Sequence, residues 1–162
     1  MAAVDYFLKI DGIEGESHDA KHKNEIHVES FSWSEKQQGA QMSGGGGGAG
    51  KVAMGDFHVT MKVNKATPKL MLACACGEHI PTATLTCRKA GGKQEGFYKI
   101  TLSDLLVSSY QTAGSGHGDL IPTDQFTLNY SKIEFEYKEQ KHDGSMGPAV
   151  KAGWDVKSNK AV

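Results

Sequence analysis

The sequence predicts a mainly-β fold in which two antiparallel sheets form a compact barrel with one flanking α-helix. Segments with apolar residues at alternate positions recur along the 162 residues, a pattern typical of half-buried strands. Short turns join many of these segments, which favours antiparallel pairing. Only Thr67–Cys76 has the apolar spacing of a helix. A chain of this length fits one domain, so residues 1–162 are predicted to fold as a single unit.

The first part of the chain supplies three strand patterns. Val4–Ile10 and Phe57–Val63 each alternate apolar with polar residues. Between them, Ile26–Ser34 changes the parity of its apolar positions at Glu29–Ser30, which indicates a bulge or a bend. The polar segment Gly15–Asn24 is predicted to be a loop.

The helix is predicted from its ends as well as from its apolar stripe. Thr67 can cap the first amides. Pro68 suits the first helical position, because the missing N–H has no intrahelical acceptor there. Gly77 is expected to end the helix in the left-handed conformation. The stripe consists of Leu70, Met71, Ala73 and Cys74.

After the helix the strand patterns resume, and the total is about eight strands. The first two segments flank a Gly-Gly turn and are predicted to form a hairpin. The segment Phe126–Tyr137 is predicted to be either a single bent strand or two consecutive strands. In order, the segments are Thr82–Arg88 and Gly96–Leu102 in the hairpin, Leu105–Thr112, the long Phe126–Tyr137, a glycine-rich loop at Lys141–Pro148, and a last strand at Gly153–Lys157.

Residues 35–55 have almost no apolar periodicity and are predicted to form an extended glycine-rich loop. A compact domain seldom carries so long a loop unless it is functional or disordered. Its backbone groups cannot all be satisfied within their own fold, so the loop either stays in water or lies on a neighbouring molecule. Its glycine-rich run comprises Gly44, Gly45, Gly46, Gly47, Gly48, Ala49, Gly50 and Lys51.

The same run fits two phosphate-binding patterns, G-x-x-x-x-G-K and G-x-G-x-x-G. Both patterns need an apolar strand before the glycines and a helix after them, so that amides and the helix dipole converge on phosphate. Here Gln37–Ser43 is not a core strand, and Val52 stands where Ser or Thr would hold Mg²⁺. The flanks therefore do not favour nucleotide binding, and no cofactor is predicted.

Two groups of possible metal ligands have simpler interpretations. Cys74 and Cys76 would point about 200° apart on a helix and cannot hold one ion, so they are interpreted as small buried hydrophobes. His18 and His22 lie beside Asp19 in a polar loop with no helix to align them, and they are interpreted as solvated side chains. No metal site is predicted.

Ser115, His117 and Asp119 have the residue types of a catalytic triad. They fall within a glycine-rich tip, which lacks the rigid scaffold that a triad requires. No catalytic residue is predicted, and the chain is not expected to be an enzyme.

The composition narrows the range of partners. The net charge is −1, and Arg88 is the only arginine, so nucleic-acid binding is not predicted. No run approaches the 18 or so apolar residues of a membrane span, and the first residues lack the basic region of a signal peptide. The three cysteines do not form a closed disulfide set, which favours a reducing cytosol.

Two strand faces are polar but uncharged. Such faces suit the lining of a water-filled channel that must not bind its contents tightly. An ordinary solvent-exposed face would have the same pattern. The candidate lumen residues are Ser30, Ser32 and Ser34 on one strand and Thr82, Thr84 and Thr86 on another.

Motifs along nearly the whole chain resemble the Hcp (haemolysin-coregulated protein) family, the tube subunits of the bacterial type VI secretion system. No single motif is diagnostic, but their order and spacing are specific. The motifs are Asp5–Ser17, Phe31–Trp33, Gly44–Lys51, Thr67–Cys74, Leu85–Gly92, Val107–Ser109, Gly114–Gly118 and Gly153–Asp155. The chain departs from the commoner pattern at Asn64 and in the loop Lys141–Pro148.

The resemblance implies a phage tail-tube-like fold and a homohexamer whose rings stack into a hollow tube. It also implies a contractile sheath around the tube, a spike protein at its tip and small effector proteins in its lumen. The tube would assemble in the cytoplasm and then be secreted without a signal peptide. Gly44–Lys51 is expected to pack on neighbouring subunits. The alternative is a monomeric β-barrel binding module with a disordered loop.

Overall fold

The computed structural model describes residues 4–39, 49–89, 95–118 and 120–162. Within these ranges it contains eleven strands and one helix, so the sequence underestimated the number of strands. The elements are β1 (Val4–Ile10), β2 (Ile26–Val28), β3 (Ser30–Ser32), β4 (Glu35–Gly39), β5 (Ala49–Met54), β6 (Phe57–Lys62), α1 (Thr67–Cys76), β7 (Ile80–Lys89), β8 (Gly96–Ala113), β9 (Thr123–Gln140), β10 (Met146–Asp155) and β11 (Lys160–Ala161).

The strands form two antiparallel sheets of very unequal size. Seven strands of the larger, nine-stranded sheet follow the order β11-β10-β9-β8-β7-β1-β2. The other two branch from β9, which pairs with β6, while β6 pairs with β3. The smaller sheet contains only β4 and β5. The predicted mainly-β, antiparallel fold with one helix is confirmed.

Strands β8 and β9 form one long hairpin that spans both parts of the large sheet. These parts are the seven-strand path and the branch formed by β6 and β3. The predicted segments Gly96–Leu102 and Leu105–Thr112 are one strand, which bends at Asp104 (φ 54°) and shifts register between Val107 and Ser109. Strand β9 is likewise a single strand. Its first half pairs with β6 and its second half with β10, so the hairpin connects the two parts of the sheet.

The predicted break at Glu29 is confirmed and connects the two parts of the sheet at another point. Strand β2 pairs with β1, whereas β3 pairs with β6. Glu29 separates β2 from β3, and its amide donates to the Thr60 carbonyl at 2.9 Å. Tyr6 on β1 meets Phe31 on β3 edge to face, with ring centroids 5.2 Å apart. Side chains from both parts therefore share one core.

Helix α1 has the predicted bounds and ends as predicted, but its start is held by different hydrogen bonds from those expected. Gly77 adopts the left-handed conformation (φ 63°, ψ 39°), which a side chain would disfavour. Thr67 does not cap the helix, because its hydroxyl donates to the buried carboxylate of Asp124 at 2.6 Å. The side chain of Asn64 accepts a hydrogen bond from the Ala66 amide instead, at 2.8 Å. This arrangement ties the start of α1 to β9.

The polar loop between β1 and β2 folds back over the outer side of the sheet. The buried Arg88 guanidinium donates to both carboxylate oxygens of Asp19, at 2.9 and 2.5 Å. It also lies 4.7 Å from the centre of the Phe7 ring. His22 stacks on the same ring at 4.4 Å, so the expectation that His22 is solvated is wrong. We call Arg88, Asp19, Phe7 and His22 the loop staple.

The end of the chain contains more strand than predicted. Strand β10 begins at Met146, within the segment Lys141–Pro148 that was expected to be a loop. The register shift between Met146 and Ala149 interrupts its pairing with β9 and explains why no regular alternation is visible there. Among the residues that the structure describes, no helix has the length and apolar character needed to span a membrane.

Candidate functional site: a neutral sheet face and a hairpin arm

Two rows of uncharged residues cross four strands on the side of the sheet that faces away from the core. The cross-strand registers align Ser32 on β3 with His58 on β6, and Ser30 with Thr60. Each row continues over β9 to β8, because paired residues in antiparallel strands point to the same side. We call these residues the neutral face: Ser32, His58, Thr127 and Ser109 in one row, and Ser30, Thr60, Gln125 and Gln111 in the other. None of them is Asp, Glu, Lys or Arg.

Hydrogen bonds fix one end of the neutral face. The Thr127 hydroxyl lies 2.5 Å from that of Ser109 and 2.7 Å from that of Ser108. Ser108 and Asn129 both donate to Asp56, at 2.8 and 2.9 Å. Asp56 is therefore engaged at the border of the face. The two rows themselves present hydroxyl, amide and imidazole groups.

The structure separates the two sets of predicted lumen residues. Ser30 and Ser32 belong to the neutral face and are exposed, as is Ser34, which lies just beyond β3. Thr82, Thr84 and Thr86 lie on β7, where Thr84 is aligned with Lys9 on one side and, across β8, with Glu134. That surface is charged, because its neighbouring strands carry Lys and Glu at the aligned positions.

Thr86 also contradicts the expectation of a wet threonine face. It is aligned with Phe7, the ring at the centre of the loop staple, and it is only 5% exposed. Thr86 is also closely packed against β8. A Cβ atom added to Gly96 would lie only 2.9 Å from the methyl carbon of Thr86. The alternation within β7 was read correctly, but the covering loop was not visible in that pattern.

The described parts of the predicted loop, residues 35–39 and 49–55, form a hairpin arm rather than an irregular segment. Strands β4 and β5 pair antiparallel, with Glu35 opposite Met54 and Gln37 opposite Val52. Ala49, Gly50 and Lys51 belong to β5, and the side chain of Lys51 is exposed. Gly44, Gly45, Gly46, Gly47 and Gly48 lie outside the described residues. We call β4 and β5 the arm.

A short chain of hydrogen bonds holds the base of the arm on the sheet. The Trp33 indole N–H donates to the Tyr130 hydroxyl at 2.5 Å, and this hydroxyl donates to the Gly55 carbonyl at 2.8 Å. A tyrosine phenol is protonated at neutral pH and can donate, and burial raises the pKa of Tyr130 further. Trp33 precedes β4 and Gly55 follows β5, so one phenol fixes both ends of the arm.

We expect Tyr130→Phe to lower the free energy of unfolding by about 1–3 kcal/mol, because it leaves a partly buried indole N–H and a carbonyl without their hydrogen-bond partner. Urea unfolding at one fixed protein concentration measures the change. Tyr137→Phe is the matched control, since Tyr137 is 48% exposed and its change should stay within about 0.5 kcal/mol. Equal stability of the wild type and Tyr130→Phe would contradict the anchoring role.

An apolar groove lies between the arm and strands β9 and β10. Its volume is about 570 Å³, and Val52 and Met54 of the arm face Phe135 and Trp154 of the sheet across it. Trp33 lies at its base, and Glu35 lines it as an exposed carboxylate. Among the residues that the structure describes, the buried Trp154 indole N–H has no hydrogen-bond partner. We call this the arm groove.

A cluster that sequence reasoning missed contains the residue types of a triad but not its arrangement. Asp104 accepts hydrogen bonds from Lys157 at 2.7 Å, from Ser131 at 2.9 Å and from His79. Lys157, followed by His79 and Ser131, lowers the pKa of Asp104 well below its usual range. Since Ser131 bonds to the carboxylate and not to the imidazole, the histidine cannot activate it. The cluster ties the bend of β8 to the end of the chain.

Most of the residues that the sequence singled out for metal or acyl chemistry are exposed. Cys76 is exposed, so its interpretation as buried is wrong, while Cys74 is half-buried. His18 is exposed, and Ser115 and His117 lie on an exposed tip whose Asp119 is outside the described residues. Within the described ranges, no three or more His, Cys, Asp and Glu side chains are placed to hold a metal ion.

Comparison with known proteins decides the family. A family model described as "Type VI secretion system effector, Hcp" matches residues 7–137. The chain belongs to the Hcp family. Hcp1 of Pseudomonas aeruginosa is 47% identical over 159 residues, which cover 97% of this chain and 98% of that protein. The resemblance read from the motifs is confirmed, and the family is one of type VI secretion tube proteins.

Solved Hcp structures share the fold. Hcp1 of Salmonella typhimurium is 38% identical, covers 99% of this chain and 100% of its own, and has a TM-score of 0.84. A type VI secretion system effector from Yersinia pestis is 32% identical, with 94% and 100% coverage and a TM-score of 0.77. A type six secretion system protein that is 31% identical reaches a TM-score of 0.93, covering 99% of this chain and all of its own.

Proposed function

We propose that this chain is a structural subunit that forms hexameric rings, and that the rings stack into the hollow tube of a type VI secretion system. In this proposal a contractile sheath surrounds the tube and a spike protein closes its tip. Contraction exports the tube from the cytoplasm together with small effector proteins in its lumen. The observation that carries the proposal is the neutral face, two uncharged rows that cross four strands of the sheet.

The chemistry of the neutral face suits the wall of a channel. Its hydroxyl and amide groups form hydrogen bonds with water. The two rows of the neutral face lack the Lys, Arg, Asp and Glu side chains that would bind a charged protein electrostatically. The β7 surface lacks this property, because Thr84 is aligned with Lys9 on β1 and, across β8, with Glu134 on β9. We therefore assign Ser30 and Ser32 to the lumen wall and remove Thr82, Thr84 and Thr86 from it.

The arm is a second feature that supports assembly. A two-stranded hairpin is marginally stable when it stands alone in water. Lys36, Gln37 and Lys51 of the arm are exposed in the single chain. An adjacent subunit would supply the missing contacts, and we propose that the arm, with its glycine-rich run Gly44–Lys51, packs on neighbouring copies.

Size-exclusion chromatography with light scattering tests the proposal. A ring predicts a mass about six times the 17.4 kDa of the chain, and electron microscopy of the same sample should show hollow rings. A monomer at every concentration would contradict the proposal and favour a monomeric binding module instead.

We expect Ser32→Glu to leave ring formation intact and to abolish retention of co-expressed small effectors. Ser32 is exposed on the neutral face, so the folding stability should change by no more than about 0.5 kcal/mol. Six copies would place six carboxylates in the lumen. Co-purification of effectors with the ring is the measurement. Thr84→Glu, on the charged β7 surface, is the matched control and should retain cargo. Loss of cargo in both variants would contradict the lumen assignment.

A further inference from the structure

Helix α1 is apolar on two opposite sides. Its inner side buries Leu70 and Ala73 completely. Its outer side carries Met71 and Leu72, which are 50% and 59% exposed. Soluble helices normally present polar residues on the side away from the core, and an apolar circumference is typical of a buried helix. The outer side therefore indicates a surface that becomes covered.

The exposed residues follow the spacing of a helix that docks into a groove. They fall at i, i+3, i+4, i+7 and i+8, which aligns them on one side of the helix. Lys69 borders this side, is exposed and is the only charged residue of the helix. We call the following residues the outer stripe of α1: Pro68, Met71, Leu72, Ala75 and Cys76.

The same chain carries a concave apolar surface of matching character. The arm groove exposes Val52, Met54 and Phe135, and it has one carboxylate, Glu35, to oppose one cation. Its own α1 cannot reach it, because the inner side of that helix is packed on β8 and its start is tied to Asp124. The groove and the outer stripe lie on separate parts of each molecule.

We propose that the outer stripe of α1 of one copy docks in the arm groove of the next copy, with Lys69 beside Glu35 of that copy. This inference rests on the proposed ring. A contact between two different surfaces of identical chains is head-to-tail, and such contacts generate closed rings when the rotation per subunit closes. The arm then forms one wall of the groove that receives its neighbour, which gives the hairpin a partner on both of its sides.

Leu72→Glu tests the apolar part of the contact. We expect it to raise the protein concentration needed for assembly by at least tenfold, about the effect of losing a central apolar anchor. Because Leu72 is exposed in the single chain, the circular dichroism spectrum of the monomer should be unchanged. Leu120→Glu is the matched control, since Leu120 is fully exposed but lies outside both surfaces, and it should assemble like the wild type.

A charge exchange tests the orientation. Lys69→Glu and Glu35→Lys should each weaken assembly several-fold, because each places like charges together. The double variant should regain most of the loss. Single variants that assemble normally, or a double variant that shows no recovery, would overturn the proposed pairing.

The outcomes separate this inference from the proposed function. A wild-type chain that never assembles contradicts the ring itself. Normal rings from Leu72→Glu contradict only the helix-in-groove contact and would leave the outer stripe to a different protein. Equal loss of assembly in Leu72→Glu and Leu120→Glu would show a general charge effect and would also overturn the contact.

Discussion

Phe57→Ala is expected to lower the free energy of unfolding by about 3–5 kcal/mol, through lost apolar contacts and the cavity that remains. Phe57 is completely buried at the start of β6 and stacks on Phe31, with ring centroids 5.7 Å apart. Phe31 in turn meets Tyr6 of β1. The Phe57 ring thus supports the contact through which the two parts of the sheet share a core.

Two substitutions on the same strand control for this effect. Phe57→Leu keeps most of the apolar volume and should lose less than about 2 kcal/mol. His58→Ala changes the next residue, which points outward on the neutral face, and should stay within about 0.5 kcal/mol. Urea unfolding at one protein concentration compares the variants, because assembly changes apparent stability. Equal effects at positions 57 and 58 would contradict the assigned strand faces.

Arg88→Ala is expected to lower the free energy of unfolding by about 2–3 kcal/mol, since it removes a buried, hydrogen-bonded charge and its packing on Phe7. The loop staple should then open. Hydrogen exchange at Gly15, Ser17 and Asn24, whose amides bond to carbonyls within the loop region, should become faster. Arg88→Lys keeps the charge without the two-pronged geometry and should show an intermediate loss. Unchanged exchange in Arg88→Ala would contradict the role of the staple.

The staple also predicts a dependence of stability on pH. The hydrogen bonds from Arg88 lower the pKa of Asp19 to about 2, below the ordinary value of about 3.9. A depressed folded-state pKa contributes stability that is fully present above the unfolded pKa and is lost as the pH falls through the folded pKa. The difference in unfolding free energy between the wild type and Asp19→Asn should therefore be constant above about pH 5 and shrink between about pH 4 and pH 2. A difference that does not change with pH would contradict this assignment.

The local sequence pattern was sufficient to predict several secondary-structure elements. The bounds of α1 were predicted correctly, because apolar spacing, Pro68 and Gly77 act within a few residues of one another. Strand β1 and the break at Glu29 followed from alternation and its change of parity. The family was readable from the order of its motifs.

The arm and the staple required contacts that no local pattern records. Residues 35–37 are exposed on both sides of the arm, so β4 has no apolar alternation although its backbone is paired. Thr86 alternates like a solvent-exposed residue, yet a loop more than 60 residues away in the chain covers its neighbour Phe7 through Arg88 and Asp19. The hydroxyl of Thr67, expected at the helix cap, is instead drawn to Asp124 on β9.

By itself, the sequence determined the strand and helix types, the uncharged character of Ser30 and Ser32, and the family, because these depend on residue type and spacing along the chain. Only the tertiary structure decided which surface those serines join. Cross-strand registers bring His58, Thr127 and Ser109 beside Ser32, whereas Thr84 lies among charges and Thr86 beneath a loop. Alternation along a strand determines which side of the sheet a residue faces. Its neighbours on that side are determined by pairing between segments that are distant in the chain.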